Sequence, residues 1–250
     1  MYGRGYSGGG MGFGPPVTPP VVKQLIIANV AVFFAQALQP QIFSILAASP
    51  SEFWQRGFVW QPFTYMWMHA GLGHILANMF SLWMFGSQVA LVWGAQRFLR
   101  FYLLCGVGAG FLIVSYPWIP VIFGAQAAAS LQIPTLGASG AVFGVLLAYS
   151  LTWPDRTIML IFPPVAFRSI WLIPLLFFME IYFGPPNVSH IGHLGGVLVG
   201  WLLLRGQGDA RGMLSLEQIR WRFKRWQMRK RLRAVRTEQS RNSNDRSSFH

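Results

Sequence analysis

Charge is scarce in this chain. Asp, Glu, Lys and Arg make up 11% of its 250 residues, where a water-soluble domain is nearer a quarter. Acids are rarer still, seven against 20 Lys and Arg. A single cysteine, Cys105, excludes an intrachain disulfide framework and any CxxC redox or zinc motif. No HExxH occurs, so helix-borne metalloprotease chemistry has no anchor. The first 20 residues hold almost no aliphatic side chains, and no clear small-residue cleavage site follows the apolar run after them, which argues against a signal peptide. What is abundant is apolar: 53% of residues are hydrophobic and 16% aromatic. That balance describes an integral membrane protein.

The organisation follows from where the apolar runs break. Residues 1–20, rich in Gly and Pro, are expected to form a disordered cytoplasmic tail. Six candidate spans follow: Val21–Leu38, Ala70–Trp93, Phe98–Phe123, Ile133–Trp153, Ser169–Phe183 and Val188–Leu204. Most approach the ~20 residues a helix needs to cross a ~30 Å hydrocarbon core. The expected fold is therefore all-α, a six-transmembrane-helix bundle over residues 21–204. Gln39 to Gln61, with Trp54 and Trp60, suits the membrane interface. Thr157–Phe167, broken by Pro163 and Pro164, is too interrupted to count as a span. Arg97, Arg100, Arg156 and Arg168 fall on one side of such a bundle, as does the basic tail of residues 205–250, which holds 13 of the 20 Lys and Arg. The positive-inside bias then places both termini in the cytoplasm, with a bacterial inner membrane as the expected home.

Within this frame several polar side chains share one depth. Ser139 lies in Leu136-Gly137-Ala138-Ser139-Gly140-Ala141-Val142-Phe143-Gly144, inside the fourth run. His74 and Asn78 open the second span, and His190 and His193 open the sixth. All enter from the outer side. Polar groups at membrane depth are costly and mark functional sites by default; the plain alternative is that they only satisfy one another between helices. A serine nucleophile needs a base, and histidine is the usual one. His193 lies beside Gly192, Gly196 and Gly200, a stripe suited to close approach by the Gly140/Gly144 face of the fourth span. Asn78, with His74 one turn earlier, could donate to a developing oxyanion, and the Ser139 backbone N–H at a helix start adds a third donor. Glu180, the only acid within a span, is expected near the interface. The arrangement that follows is a Ser139–His193 dyad without a carboxylate.

Three motifs now coincide. Gly137-Ala138-Ser139-Gly140 resembles the GxSG of rhomboid intramembrane serine proteases. His69-Ala-Gly-Leu-Gly-His74-Ile-Leu-Ala-Asn78 resembles that family's second-helix motif, and His193-Leu-Gly-Gly196-Val-Leu-Val-Gly200 its sixth-helix HxxGxxxG. The resemblance runs over roughly residues 21–204. It implies a six-helix bundle that cuts transmembrane segments of other proteins, with Ser139 and His193 as catalytic residues and no cofactor or metal. It also implies Asn78 and His74 as oxyanion side chains, Phe143 as an aromatic packed on the catalytic histidine, and His69 as a structural histidine bracing the first loop. One position departs: that loop often carries Trp-Arg, and here Gln61 follows Trp60.

Other readings have less in their favour. A soluble nucleophile elbow, GxSxG, is excluded by Ala141. A metal site from His69, His74, His190 and His193 lacks the carboxylate such sites usually add. A channel needs a polar path through the inner halves of the spans, which are apolar. A catalytically inactive rhomboid-like chaperone or interaction protein stands as the alternative of a different class. In the tail, Leu216, Ile219, Phe223 and Trp226 recur at helical spacing among Arg220, Arg222, Lys224, Arg225 and Arg229. A basic amphipathic helix of this kind lies on anionic lipid; the plainer reading is a topological anchor. Nucleic acid is not expected as a partner, because a membrane-tethered tail meets anionic lipid first.

Overall fold

The structure, a computed structural model, describes residues 14–126, 129–159, 164–184 and 189–206. Most of the expected N-terminal tail and nearly all of the basic tail lie outside these residues. The chain separates into two compact units, residues 1–203 and 204–250. Of the second, only Leu204–Gly206 are described, as the last turn of a helix.

α1 (Pro20–Leu38) begins on a proline, whose missing N–H costs nothing in a first turn. A long first loop then folds into three short helices, α2 (Ile42–Leu46), α3 (Pro50–Arg56) and α4 (Gln61–Thr64). α5 (Leu72–Ser81) continues through a π-helical turn, Leu82–Gly86, into α6 (Ser87–Trp93) as one rod. α7 (Ala95–Ser115) runs through a 3-10 turn at Tyr116–Trp118 into α8 (Ile119–Ile122). α9 (Ser139–Thr152) is followed by an antiparallel pair, β1 (Thr157–Met159) and β2 (Ala166–Arg168), with Ile158 opposite Phe167. α10 (Leu172–Phe183) and α11 (His190–Gly206) complete the described fold.

Among the described residues three helical stretches are long and apolar enough to cross a membrane: Pro20–Leu38, Leu72–Trp93 and Ala95–Ile122. Ser139–Thr152 and Ser169–Phe183 are apolar but shorter. One expectation therefore changes in detail, and one gains a form. The fourth run is helical only from Ser139, because Pro134 and Gly137 interrupt it and Thr135 pairs as a bridge with Ala48 instead. The interrupted piece after Trp153 is a hairpin.

The surface pattern is that of a membrane protein. Ile27, Phe34 and Leu38 on α1, and Leu194, Leu198 and Leu202 one turn apart on α11, are all exposed, while Asn29, Gln61, His69, Asn78, Ser87 and Ser150 are buried. Water would penalise such a contiguous apolar exterior; lipid does not. At the centre is α9, buried from Gly140 through Leu146 and again from Ala148 to Leu151. Its main neighbour is α7, whose Gly106 and Ala109 face Ala141 and Gly140. Small residues at these crossings bring the two backbones close, which is how apolar helices gain packing energy when lipid offers no hydrophobic drive.

Candidate active site

Ser139 is the first residue of α9, and the chain enters it through a built corner. Gly137 has φ +130, a conformation that disfavours side chains, and a Cβ there would lie 2.7 Å from His74 Cε1. Two reasons thus require glycine at that position. The corner is pinned by the Gly137 N–H donating to Tyr65 O at 3.0 Å and by paired backbone bonds between Ala48 and Thr135, both 2.8 Å. The Tyr65 hydroxyl, in turn, donates to Gly106 O on α7 at 2.8 Å. The first intrahelical amide bond at the start of α9 is Val142 N–H to Ala138 O, 2.9 Å. The amides of Ser139, Gly140 and Ala141 therefore have no acceptor within the helix and stand at its positive end. Ser139 itself is half-buried, so its hydroxyl can be reached.

α11 is held to α9 by its glycines. A Cβ on Gly196 would fall 1.8 Å from Gly140 O, and one on Gly200 would fall 3.2 Å from Gly144 Cα. Ser189 sets where α11 starts, because its Oγ accepts from the Gly192 N–H at 3.2 Å as an N-cap. His193 then sits in the first turn with its ring stacked on Phe143, centroids 4.2 Å apart and planes 10° from parallel. Phe143 is one turn along α9 from Ser139. The serine and the imidazole thus lie on facing surfaces of two helices in backbone contact. No direct hydrogen bond joins them among the described residues, a spacing resting sites often show before substrate docks.

Glu180, three residues from the end of α10, has partners that the sequence alone does not reveal. Its side chain is only 8% exposed, and its two carboxylate oxygens are both taken by imidazoles. Oε2 meets His193 Nδ1 at 2.6 Å, and Oε1 meets His190 Nδ1 in a second short contact. The acid expected near the interface and left out of the dyad is thus a hydrogen-bond partner of His193. The signal was present: two histidines three apart on one helix face call for a shared acceptor.

On α5, His74 Nδ1 accepts from the Ala70 N–H at 3.3 Å. That bond leaves the proton on Nε2 in the neutral ring. His74 Nε2 and Ser139 Oγ border the same small space beside Gly137, 2.8 Å and 3.6 Å from its would-be Cβ. Asn78 is buried and spends one amide N–H on His74 O, 3.0 Å, which leaves its second N–H available. His69 is fully buried in the loop before α5, outside the apolar helices, with its ring edge-on to His74 at 5.1 Å. Gln36 of α1 clamps its backbone, accepting from the His69 N–H at 3.2 Å and donating to His69 O at 3.1 Å. Burial first and the neighbouring His74 second push the His69 pKa down to about 4; the Trp67 backbone opposes this without completing a hydrogen bond. Among the described residues no group of three or more His, Cys, Asp and Glu is arranged to hold a metal ion.

Comparison with known proteins gives the family. A rhomboid-domain family model matches residues 56–206, more than half of the chain. The chain belongs to the rhomboid family. Among its rhomboid relatives is the mouse (Mus musculus) "Presenilin-associated rhomboid-like protein, mitochondrial", 34% identical over 143 residues, covering 55% of this chain and 36% of that protein. Another is the Arabidopsis thaliana "RHOMBOID-like protein 12, mitochondrial", 32% identical over 189 residues, 72% of this chain and 56% of that protein. The Saccharomyces cerevisiae "Rhomboid protein 1, mitochondrial" is 30% identical over 164 residues, 61% and 44%. The chain spans about a third to somewhat over half the length of these relatives. Their names carry a mitochondrial location, which conflicts with the expected bacterial inner membrane; the integral-membrane character stands.

The one departure from the rhomboid first-loop pattern has a structural answer. Gln61 is fully buried, and its amide accepts from the Ser49 N–H at 3.1 Å and donates to Ile45 O at 3.4 Å. Trp60 Nε1 donates to the same carbonyl at 3.0 Å, and the Thr64 hydroxyl donates to Leu46 O at 2.8 Å. Gln61 thus ties α4 back onto the end of α2, the bracing that an arginine at this position would have to supply by charge.

Proposed function

We propose that this rhomboid is an intramembrane serine endopeptidase that cuts transmembrane segments of other proteins. Ser139 is the nucleophile and His193 the base; the Ser139 N–H, Asn78 and His74 Nε2–H stabilise the oxyanion. The observation that carries this reading is the stack of His193 on Phe143 across helices whose backbones touch at Gly140 and Gly196. That contact fixes an imidazole opposite a serine at a helix N-terminus. Attack moves the Ser139 proton to His193 and leaves negative charge on the substrate carbonyl oxygen, where helix-end amides and buried donors act most strongly. His193 then protonates the leaving amine, and water repeats the sequence on the acyl-enzyme.

In the membrane, α1, α5–α6, α7, α9, α10 and α11 form the six crossing elements, and the short ones define the depth of the site. At 1.5 Å per residue the 14 residues of α9 rise about 21 Å, short of a ~30 Å hydrocarbon core. Its far end carries Trp153 and Arg156, an interfacial pair in which the guanidinium lies over the indole at 5.6 Å. With that end at one interface, Ser139 sits about 10 Å below the other. The start of α1 shares the side of Arg97, Arg100, Arg156 and Arg168. Cleavage of a transmembrane reporter tests the assignment: Ser139→Ala and His193→Ala abolish it while His190→Ala retains measurable cleavage. An inert wild type points instead to the inactive rhomboid-like binder, and a dead His190→Ala beside an active His193→Ala reverses the choice of base.

A further inference from the structure

Among the described residues Glu180 is the one acid in the apolar helices, and its side chain is only 8% exposed. A carboxylate in an apolar helix is costly unless it is paired. Its pairing is specific: each oxygen meets an Nδ1, one on His193 and one on His190. We propose that Glu180 is a positioning residue for His193, so that the site works as a Ser139–His193–Glu180 relay. The proposal rests on the protease reading above.

An ionised carboxylate only accepts hydrogen bonds. In the neutral ring the contact at 2.6 Å therefore puts the His193 proton on Nδ1 and leaves Nε2 as the acceptor. That is the tautomer a general base needs. The ring is then fixed twice, along its edge by Glu180 and across its face by Phe143. Neither contact alone prevents rotation of the imidazole; together they leave Nε2 one direction, away from Glu180. When Ser139 attacks, the Oγ–H bond breaks, its proton passes to His193 Nε2, and the Oγ–carbon bond forms. The resulting imidazolium keeps its Nδ1–H toward Glu180, whose negative charge stabilises it without taking the proton. When the intermediate collapses, Nε2 gives its proton to the leaving amine and the tautomer is restored.

His190 completes the device from outside. Its side chain is 53% exposed, and its Nδ1 occupies the carboxylate oxygen that His193 does not use. That second bond stops the carboxylate from rotating and spans the gap between α10 and α11. A purely structural clasp between the two helices is the competing account, so the test must separate orientation from stability. Glu180→Gln preserves size and one acceptor but removes the charge and admits the wrong tautomer.

The experiment uses the full-length protein in detergent, a transmembrane reporter substrate and a fluorophosphonate probe, well below the melting temperature. Glu180→Gln is expected to lower kcat and the Ser139 labelling rate together, about 10²- to 10⁴-fold by analogy with soluble triads, with KM nearly unchanged. Nitrogen-15 NMR of labelled histidine is expected to show His193 protonated at Nδ1 in wild type and redistributed toward Nε2 in the variant. Glu180→Gln that keeps kcat and labelling within about threefold, while Ser139→Ala and His193→Ala are dead, overturns the proposal and leaves the protease intact. So does a kcat loss that merely tracks the folded fraction with the wild-type tautomer unchanged. Wild type that neither cleaves nor labels removes the protease reading itself, and this proposal with it.

Discussion

Gly196→Ala is the sharpest structural perturbation available. The added Cβ would sit 1.8 Å from Gly140 O, 2.6 Å from its carbonyl carbon and 3.0 Å from its Cα. All three are backbone atoms of a buried helix, so no side chain can swing aside. An ordinary contact begins near 3.4 Å, and α11 must therefore retreat from α9 by about 1.6 Å. Overpacking of this kind typically costs about 1–3 kcal/mol. The loss to chemistry is larger than the loss to stability, because His193 rides on the same helix. A displacement of ~1 Å in a catalytic group can cost ~10²-fold in rate. Gly192→Ala is the control on the same stripe. Its Cβ would meet the Ile113 Cδ1 tip at 3.0 Å, and a side-chain end can yield. In detergent, Gly196→Ala is expected to melt several degrees lower and to label Ser139 at least about 100-fold more slowly, with Gly192→Ala close to wild type in both. Equal behaviour of the two variants, or wild-type labelling by Gly196→Ala, would refute the packing argument.

Three further outcomes are expected. Asn78→Ala lowers kcat about 10²- to 10³-fold at constant KM; a raised KM with kcat intact removes Asn78 from the oxyanion site. His69 is neutral in the fold with a pKa near 4, below its ordinary ~6.5, so the unfolded chain takes up the proton first. The stabilisation is fully present above pH ~6.5 and is lost as the pH falls toward 4. Melting temperature against pH tests this: His69→Gln is expected to flatten the slope in that window, and an unchanged slope contradicts the assignment. Truncation after Gly208 removes the basic segment and is expected to leave detergent activity nearly unchanged, whereas a peptide of residues 214–235 binds anionic vesicles and releases them at high salt. Loss of detergent activity on truncation means instead that this segment braces the bundle.

Much of the candidate site's geometry was legible because its constraints are local. A serine between glycines, a histidine heading a four-residue glycine stripe, and His74 four residues before Asn78 each reflect spacing along one helix. The late start of α9 was harder to read. Hydropathy cannot tell an extended apolar segment from a helix, and what makes residues 133–137 extended is a bridge to Ala48, far away in sequence. Pro134 and Gly137 were the local signs. Gln61 read as a departure from a pattern, yet its amide serves two backbone partners that only the folded loop supplies. The partners of Glu180 were hidden for a similar reason. A lone acid near the end of an apolar helix shows no partner until the neighbouring helix brings two imidazoles to it.

The central claim is that His193 activates Ser139. Reaction of the wild-type protein with a fluorophosphonate, followed by mass-spectrometric mapping of the adduct, addresses it most directly. A single adduct is expected on Ser139, absent in Ser139→Ala and strongly suppressed in His193→Ala. An adduct on another residue, or full labelling of Ser139 in the absence of His193, would contradict it.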